Sequence, residues 1–144
     1  VIHNDYRFDN VVLNPDNPFE VIGVLDWEMA TIGDPLMDLG NSLAYWIEAD
    51  DEGPFQMLRR QPTHRPGMLT RKEVVDYYME KSGFRAEKFD FYEIYGLFRL
   101  AVIIQQIYYR FYHGQTKDKR FAAFGHAANY LEKRCQRLIS ESTL

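Results

Sequence analysis

The sequence predicts an α+β fold that is mainly α-helical, with a single small β-hairpin near its start. Two short apolar runs flank a turn rich in Asn, Asp and Pro, which is typical of paired strands. Apolar residues recur at three- and four-residue intervals over most of the remaining chain, which is typical of amphipathic helices. Helix-capping signals stand where several of these periodic segments begin or end.

The composition is that of one ordinary soluble domain. The chain has 144 residues, of which 46% are apolar and 26% charged, enough to build a hydrophobic core. The net charge of −4, without a dense Lys/Arg block, argues against a nucleic-acid partner. No run of apolar residues is long enough to span a membrane. Cys135 is the only cysteine, which excludes an internal disulfide and favours a packing role in a reducing, cytoplasmic setting.

The hairpin is predicted from the first third of the sequence. Residues 11–13 and 20–25 are β-branched and apolar, and the turn at 14–18 separates them. Antiparallel pairing brings the start of the first strand close to the end of the second. We therefore expect Asn10 and Asp26 to lie near each other.

The first helix is predicted to run from Asp34 to about Glu48. Asp can cap a helix, and Pro35 suits the first helical position. Leucine and tryptophan then recur on one face. The acidic segment 48–54 that follows is open to two interpretations, a solvated turn, which is the commoner case, or a surface that attracts a cationic substrate.

Three further helices are predicted. Thr70 and Glu73 have the spacing of a capping box, and Gly83 can end the helix that they begin. The segment from about 89 to 112 is apolar around nearly its whole circumference, which predicts a central, buried helix. A last amphipathic helix is predicted from about 119 to 139.

Polar residues cluster around the predicted hairpin. Phosphoryl transfer needs a carboxylate that positions a hydroxyl acceptor and oxygen ligands that hold a divalent cation such as Mg²⁺. Asp5 suits the first role, Asn10 and Asp26 suit the second, and His3 and Asp9 would act as supports. Taken singly, each of these residues could instead simply cap a turn.

These residues resemble a known family. The string His3-x-Asp5-x-x-x-x-Asn10, with Asp-Trp-Glu at 26–28 and Asp-Pro-Leu-Met-Asp-Leu-Gly at 34–40, resembles the catalytic loop and metal segment of the aminoglycoside phosphotransferase and choline kinase family. Within that family it is most similar to the kinase-like domains associated with acyl-CoA dehydrogenases. Because the family is similar to protein kinases, the resemblance implies the C-terminal lobe of a protein-kinase-like fold.

The resemblance also implies roles for individual residues. Asp5 is implied as the catalytic carboxylate, with Asn10 and Asp26 as the ligands of Mg²⁺ against the bound ATP. Asp38 is implied as a structural acid that braces the catalytic loop, with His3 as a further support. The family usually has Gly where this chain has Asn4. Because Asn adopts positive φ more readily than most residues, the loop can keep its shape.

We expect one kinase-like lobe over residues 1–144, with the catalytic loop and hairpin in 1–30 and a helical subdomain in 34–144. In the family, a separate N-terminal lobe supplies the phosphate-binding loop, a strand Lys and a helix Glu. The sequence contains neither G-x-G-x-x-G nor G-x-x-x-x-G-K-[ST], and its first lysine is Lys72. The nucleotide lobe is therefore expected to be absent, leaving this chain alone without full activity.

Two function hypotheses follow. The first is an ATP- and Mg²⁺-dependent phosphotransferase that acts on a small-molecule hydroxyl, by resemblance a hydroxyacyl-CoA or another alcohol rather than an aminoglycoside. Arg99 and Gln105 interrupt the apolar long helix and are candidate substrate contacts. Arg59, Arg60 and Arg65 could contact the phosphates of a coenzyme A-like substrate, although surface arginines are common.

The second hypothesis is a truncated, catalytically incompetent kinase-like lobe that acts as a binding or oligomerisation module. Loss of an N-terminal lobe would uncover apolar surface, and large apolar patches favour association. Under either hypothesis we expect a homo-oligomer, or a missing N-terminal lobe that covers this surface.

Overall fold

In the computed structural model, which describes residues 1–142, α-helices are the main secondary structure, and one antiparallel pair of strands and several loops accompany them. The predicted fold class, α+β and mainly helical, is confirmed. The predicted domain runs to residue 144, and its last two residues lie outside the described part. The elements are β1 (Val11–Leu13), β2 (Val21–Val24), α1 (Pro35–Leu43), α2 (Gly53–Gln56), α3 (Arg71–Ser82), α4 (Asp90–Tyr112) and α5 (Phe124–Glu141).

The hairpin has the predicted pairing. Val11 lies opposite Val24, and the register shifts between Val12 and Leu13. The predicted second strand, residues 20–25, is one residue too long at each end. Beyond the ladder, the Leu25 N–H donates to the Asn10 carbonyl at 2.8 Å, so the chain segments that carry Asn10 and Asp26 stay adjacent.

The hydrophobic core lies among the helices and away from the hairpin. α4 packs against α1 on one side and α5 on another. Leu131 of α5, Ile47 after α1 and Phe55 of α2 are completely enclosed. Burial of side chains of this size stabilises the helical body by about 1.5–3 kcal/mol each.

Two glycines allow α1 and α4 to cross at very short range. A Cβ atom on Gly40 would lie 2.2 Å from the Tyr92 carbonyl oxygen, and one on Gly96 would lie 2.0 Å from the Gly40 carbonyl oxygen. Only glycine fits at either position. The crossing fixes α1, which carries Asp38, against α4, which carries Arg99.

The long helix α4 is not buried all round, so that part of the prediction is wrong. Its apolar residues form a core-facing side and also an outer stripe at spacings of seven, four, seven and three residues. These outer side chains are between 38% and 72% exposed. The members of this outer stripe are Phe91, Phe98, Val102, Tyr109 and Tyr112.

Helix ends agree with the capping predictions better than with the periodicity predictions. The Thr70 capping box is present in both halves, and Gly83 ends α3 with a φ of 79°. The first helix ends at Leu43 rather than near Glu48, because the Trp46 N–H turns back to the Leu43 carbonyl. The last helix begins at 124, after a 3₁₀ turn over residues 119–123.

The acidic loop after α1 is not simply solvated. The Asp51 carboxylate, whose side chain is 5% exposed, pairs with Arg71 at 2.6 Å and with Arg134 at 3.3 Å. Burial alone would raise the pKa of Asp51, but the Arg71 hydrogen bond and the Glu48 N–H bring it below the usual range. Asp51 therefore connects Arg71 of α3 to Arg134 of α5 through ion pairs. The interpretation of this segment as a solvated turn is wrong for Asp51.

Within residues 1–142, none of the helices is both long and apolar enough to cross a membrane.

Candidate active site

The predicted catalytic carboxylate lies in the loop that precedes β1. Asp5 is 23% exposed, and its Oδ2 atom accepts from Arg7 Nη2 at 3.1 Å and from Asn10 Nδ2 at 3.3 Å. Asn10 Nδ2 also donates to the Asp5 backbone carbonyl at 2.8 Å. Two of the predicted site residues therefore touch directly, and Asp5 keeps Oδ1 without a partner among the described residues.

His3 connects the catalytic loop to the end of β2. The Asp5 N–H donates to His3 Nδ1 at 3.1 Å, so the proton of the neutral ring lies on Nε2. Nε2 then donates to the Leu25 carbonyl at 2.7 Å. Because the ring is 4% exposed, this single side chain fixes the backbone of Asp5 and the residue before Asp26 in a buried position.

Asp38 lies at the base of the same loop. Its Oδ2 accepts from the His3 N–H and its Oδ1 from the Asn4 N–H, both at 2.7 Å. Asn4 has a φ of 67°, in the left-handed region that Asn tolerates better than most residues. Arg99 of α4 donates to the Asn4 carbonyl. The loop is thus held by charged groups from two helices.

Asp26 follows β2. It is exposed, whereas Asp5 is partly buried and Asn10 is buried. Its φ of 64° places it in the left-handed region, where a non-glycine residue is uncommon and is often functional. Among residues 1–142 its carboxylate accepts no hydrogen bond and pairs with no cation. The side-chain nitrogen of Asn10 donates to Asp5, so the side-chain oxygen Oδ1 of Asn10 is the atom that is free to bind a cation.

The donor set fits a hard cation that takes only part of its shell from protein. Across residues 1–142, no group of three or more His, Cys, Asp or Glu side chains could hold a metal ion. Mg²⁺ does not require one, because it commonly binds one or two protein oxygens and completes its shell with phosphates and water. The unpaired carboxylate of Asp26 and the free side-chain oxygen of Asn10, on adjacent segments of backbone, are ligands of the type that Mg²⁺ takes.

A cleft of about 1130 Å³ extends from Asp5 along α4. It has both cationic and aliphatic lining. Tyr45 also lines the cleft, and the Arg7 guanidinium carbon lies 5.0 Å from the centroid of the Tyr45 ring. Burial raises the pKa of the Tyr45 hydroxyl. The arginines that line the cleft are Arg7, Arg59, Arg60, Arg99 and Arg110, and the aliphatic residues include Leu58, Leu100, Ile103, Ile104 and Ile107.

The other predicted substrate contact lies elsewhere. Gln105 is exposed on the outer side of α4, between Val102 and Tyr109, and is not among the described residues that line the cleft. Arg99 does line it, although its guanidinium also donates to the Asn4 carbonyl. The structure therefore brings Arg99, but not Gln105, to Asp5.

Three residues around the site were not predicted from the sequence. Arg7 contacts Asp5 and lies 3.4 Å from Asp9, and its position inside the motif was a usable signal. Gln61 accepts from the Phe8 N–H at 3.0 Å, and Asn41 donates to the Asn4 side chain at 3.2 Å. Gln61 and Asn41 are far away in sequence and gave no local signal.

Comparison with known proteins identifies the family. A model of the phosphotransferase enzyme family, APH, matches residues 1–73, which is half of the chain and includes the catalytic loop, the hairpin and α1. The chain belongs to this phosphotransferase family. The resemblance predicted from the motif is confirmed, and the helical lobe with its small hairpin is consistent with a kinase-like fold. No solved structure matches the chain.

The relatives of this phosphotransferase-family chain carry dehydrogenase names. It is 35% identical over 123 residues to acyl-CoA dehydrogenase family member 10 of Mus musculus, and this match covers 82% of the chain but 11% of the relative. It is 33% identical to probable acyl-CoA dehydrogenase IBR3 of Arabidopsis thaliana, covering 81% and 14%, and 30% identical to acyl-CoA dehydrogenase family member 11 of Homo sapiens, covering 83% and 15%. The chain thus matches a small part of much longer proteins.

Proposed function

We propose that this chain forms the acceptor and metal side of an ATP- and Mg²⁺-dependent phosphotransferase that acts on a small-molecule hydroxyl. The observation that carries the proposal is that Asn10 contacts Asp5 directly, while one buried His3 joins the backbone of Asp5 to Leu25, just after β2. Asn10 and Asp26 would hold the cation, which neutralises charge on the phosphate oxygens when bound.

Asp5 is proposed as the group that meets the acceptor hydroxyl. In the transfer, the hydroxyl oxygen forms a bond to the terminal phosphorus, the bond from that phosphorus to the departing diphosphate breaks, and the hydroxyl proton passes to Asp5. The unpartnered Oδ1 of Asp5 is available for that proton, while Arg7 and Asn10 hold Oδ2. Replacing a group of this kind typically costs about 10²–10⁴-fold in rate.

The cleft supports an anionic acceptor over an aminoglycoside. Five arginines line it, against the three acidic side chains of Asp5, Asp9 and Glu28. A polycationic aminoglycoside would meet like charge there, whereas a thioester of coenzyme A carries phosphates that arginine binds well. We therefore propose a hydroxyacyl-CoA-like acceptor, with Arg59, Arg60 and Arg99 as contacts. The dehydrogenase names of the relatives support the same class.

The phosphate-binding loop is proposed to come from outside residues 1–144, because the sequence has neither of the usual glycine-rich phosphate motifs. Residues 1–30 would then form the metal and acceptor side of the site, with 34–142 as its helical support. On this view the chain alone binds nucleotide but turns over slowly, since a preorganised phosphate clamp supplies much of the transition-state stabilisation.

Association with another lobe or a second copy is also proposed. The hairpin side exposes Leu13, Ile22 and Leu25, each about half accessible, and α4 exposes its outer stripe. Exposed apolar surface of this extent favours association. Sedimentation of the chain at micromolar concentration should show a dimer or larger species, and a clean monomer would contradict this part of the proposal.

Calorimetry of ATP binding, with and without Mg²⁺, tests the proposed function. We expect binding that requires Mg²⁺, is lost in Asp26→Ala and is unchanged in Asp16→Ala, which removes a carboxylate from the turn of the same hairpin. Asp5→Asn should retain nucleotide binding. Absence of Mg²⁺-dependent binding in a folded chain would overturn the proposal and favour a kinase-like lobe without catalytic function.

A further inference from the structure

A second cavity, of about 330 Å³, lies behind the catalytic loop. Most of its lining comes from three parts of the chain: the catalytic loop with Tyr6 and Phe8, α1 with Leu39 and Leu43, and α3 with Val74 and Tyr78. Its volume is at the lower end of the range for small-molecule pockets. None of the proposed nucleotide or metal contacts lies among these residues, so the nucleotide does not account for it.

Several polar groups at this cavity are already engaged within the protein, although the buried Arg7 Nε has no hydrogen-bond partner among the described residues. The Asp38 carboxylate accepts from two backbone N–H groups, and the Ser42 hydroxyl donates to the Asp38 carbonyl at 3.2 Å. Gln61 accepts from the Phe8 N–H and donates to the Tyr45 carbonyl at 3.4 Å. Most of what remains for a ligand is apolar surface, and an apolar cavity holds water poorly. The cavity is therefore suited to a hydrocarbon group.

Arg7 connects this cavity to the acceptor cleft. It lines both spaces, and its Nη2 lies 3.1 Å from Asp5 Oδ2. A hydrocarbon group in the cavity and a hydroxyl at Asp5 are consequently separated by about one side chain. That separation is short enough for both groups to belong to one molecule.

We propose that this cavity binds the aliphatic chain of the acceptor, on the far side of the hydroxyl from its anionic end. The assignment rests on the proposed function in taking Asp5 as the acceptor-side carboxylate. Leu39, Leu43, Val74 and Tyr78 then select the acceptor by the length and shape of its hydrocarbon chain. The arginine-lined cleft and the apolar cavity bind opposite ends of an amphiphilic substrate.

Trp46 provides a direct reporter, because it lines the cavity and its ring lies 5.3 Å from that of Phe8. In a chain carrying Trp27→Phe, Trp46 is the only tryptophan. Bromine quenches the fluorescence of a tryptophan that it contacts, so ω-bromooctanoic acid serves as the probe and bromoacetic acid as its short, polar control. We expect saturable quenching by the long probe only, with affinity that rises with chain length and then levels off.

Two matched substitutions on α3 locate the binding. Val74→Phe fills the cavity and should weaken the long probe about tenfold. Val75→Phe adds the same ring one residue along, at a position that lines a different cavity, and should leave binding unchanged. Circular dichroism establishes that both variants fold. If Val74→Phe does not fold, the chain-length series with Trp46 still decides the question.

The outcomes separate this inference from the function itself. Quenching that does not saturate, that bromoacetic acid reproduces, or that Val75→Phe weakens equally would overturn the aliphatic site, even if Mg²⁺-dependent ATP binding is present. Saturable quenching that responds to Val74→Phe supports the aliphatic site, and absence of ATP binding beside it would count against the phosphotransferase proposal alone.

Discussion

The catalytic segment, residues 1–33, and the helical body are held in place by different forces. In the body, apolar burial dominates, with Leu131 and Ile47 almost fully enclosed between helices. In the catalytic segment most large apolar side chains are exposed. Apart from the ring contact between Phe8 and Trp46, its contacts with the body are largely hydrogen bonds: Asp38 to two loop N–H groups, Gln61 to Phe8 and Arg99 to Asn4.

This difference implies that the site can lose its geometry while the body stays folded. Hydrogen bonds restrict direction and distance more narrowly than apolar contacts do, which suits a loop that must position a carboxylate. Because these hydrogen bonds are few, the loss of one of them should disturb the geometry of the loop.

Asp51→Asn should destabilise the body most. It leaves the largely buried Arg134 and Arg71 without their shared carboxylate, and breaking a buried pair from one side typically costs about 3–5 kcal/mol. Urea denaturation measures the loss. Asp76→Asn, which removes an exposed partner of Lys72 on α3, is the matched control and should cost at most about 0.5 kcal/mol. Equal effects of the two substitutions would contradict the account of the body.

The same carboxylate predicts a pH dependence. The pKa of Asp51 is lower in the folded chain than its ordinary value of 3.8, so unfolding takes up protons in the acid range. The stabilisation is therefore complete above pH 3.8 and is lost as pH falls through the folded-state pKa. The stability gap between the native chain and Asp51→Asn should be constant near neutral pH and narrow at the acid end.

Asp38→Ala should act on the catalytic segment instead. It removes two charge-assisted hydrogen bonds, to the His3 and Asn4 N–H groups, worth together about 3 kcal/mol. Hydrogen exchange at His3 and Asn4 should accelerate, while exchange at Leu131 in α5 should change little. A uniform acceleration across both regions would show that they unfold as one unit.

Gly96→Ala tests the close crossing of α1 and α4 within the body, which positions Asp38 and Arg99 next to the catalytic segment. A methyl group there meets the Gly40 carbonyl, and overpacking of this kind costs about 1–3 kcal/mol. Gly53→Ala, with open space around the added carbon, should be neutral or slightly stabilising. Thermal melts of the pair provide the comparison, and equal melting temperatures would mean that the helices do not cross as closely as described.

Thr70→Ala should have the smallest effect, about 1 kcal/mol, because it removes one side of the capping box of α3. Ser140→Ala, on the exposed end of α5, is the control and should stay within about 0.5 kcal/mol. Chemical denaturation that ranks Ser140→Ala above Thr70→Ala would contradict the capping assignment.

The two regions also differ in how far sequence alone could predict them. Local signals predicted the hairpin, the Thr70 box and the end of α3 at Gly83, because each depends on neighbouring residues. The Asp51 network joins three segments of the chain, and the approach of Gly40 to Gly96 depends on how two helices pack. Neither has a local signature, so neither was predicted.

For the candidate site, the motif indicated the residues but not the contacts among them. Asp5, Asn10, Asp26 and Asp38 were chosen from spacing and resemblance. The neutral His3 ring that joins the loop to β2 could be described only with coordinates, since its two partners are 2 and 22 residues away. The exposed stripe of α4 was missed because composition does not distinguish the core-facing side of a helix from its outer side.

Paramagnetic broadening by Mn²⁺ in the presence of ATP tests most directly whether Asn10 and Asp26 share one cation beside Asp5. The account predicts selective loss of the amide signals of Asp5, Asn10 and Asp26, with Leu131 unaffected and the effect abolished by Asp26→Ala. Broadening centred on another part of the chain, or unchanged by that substitution, would contradict it.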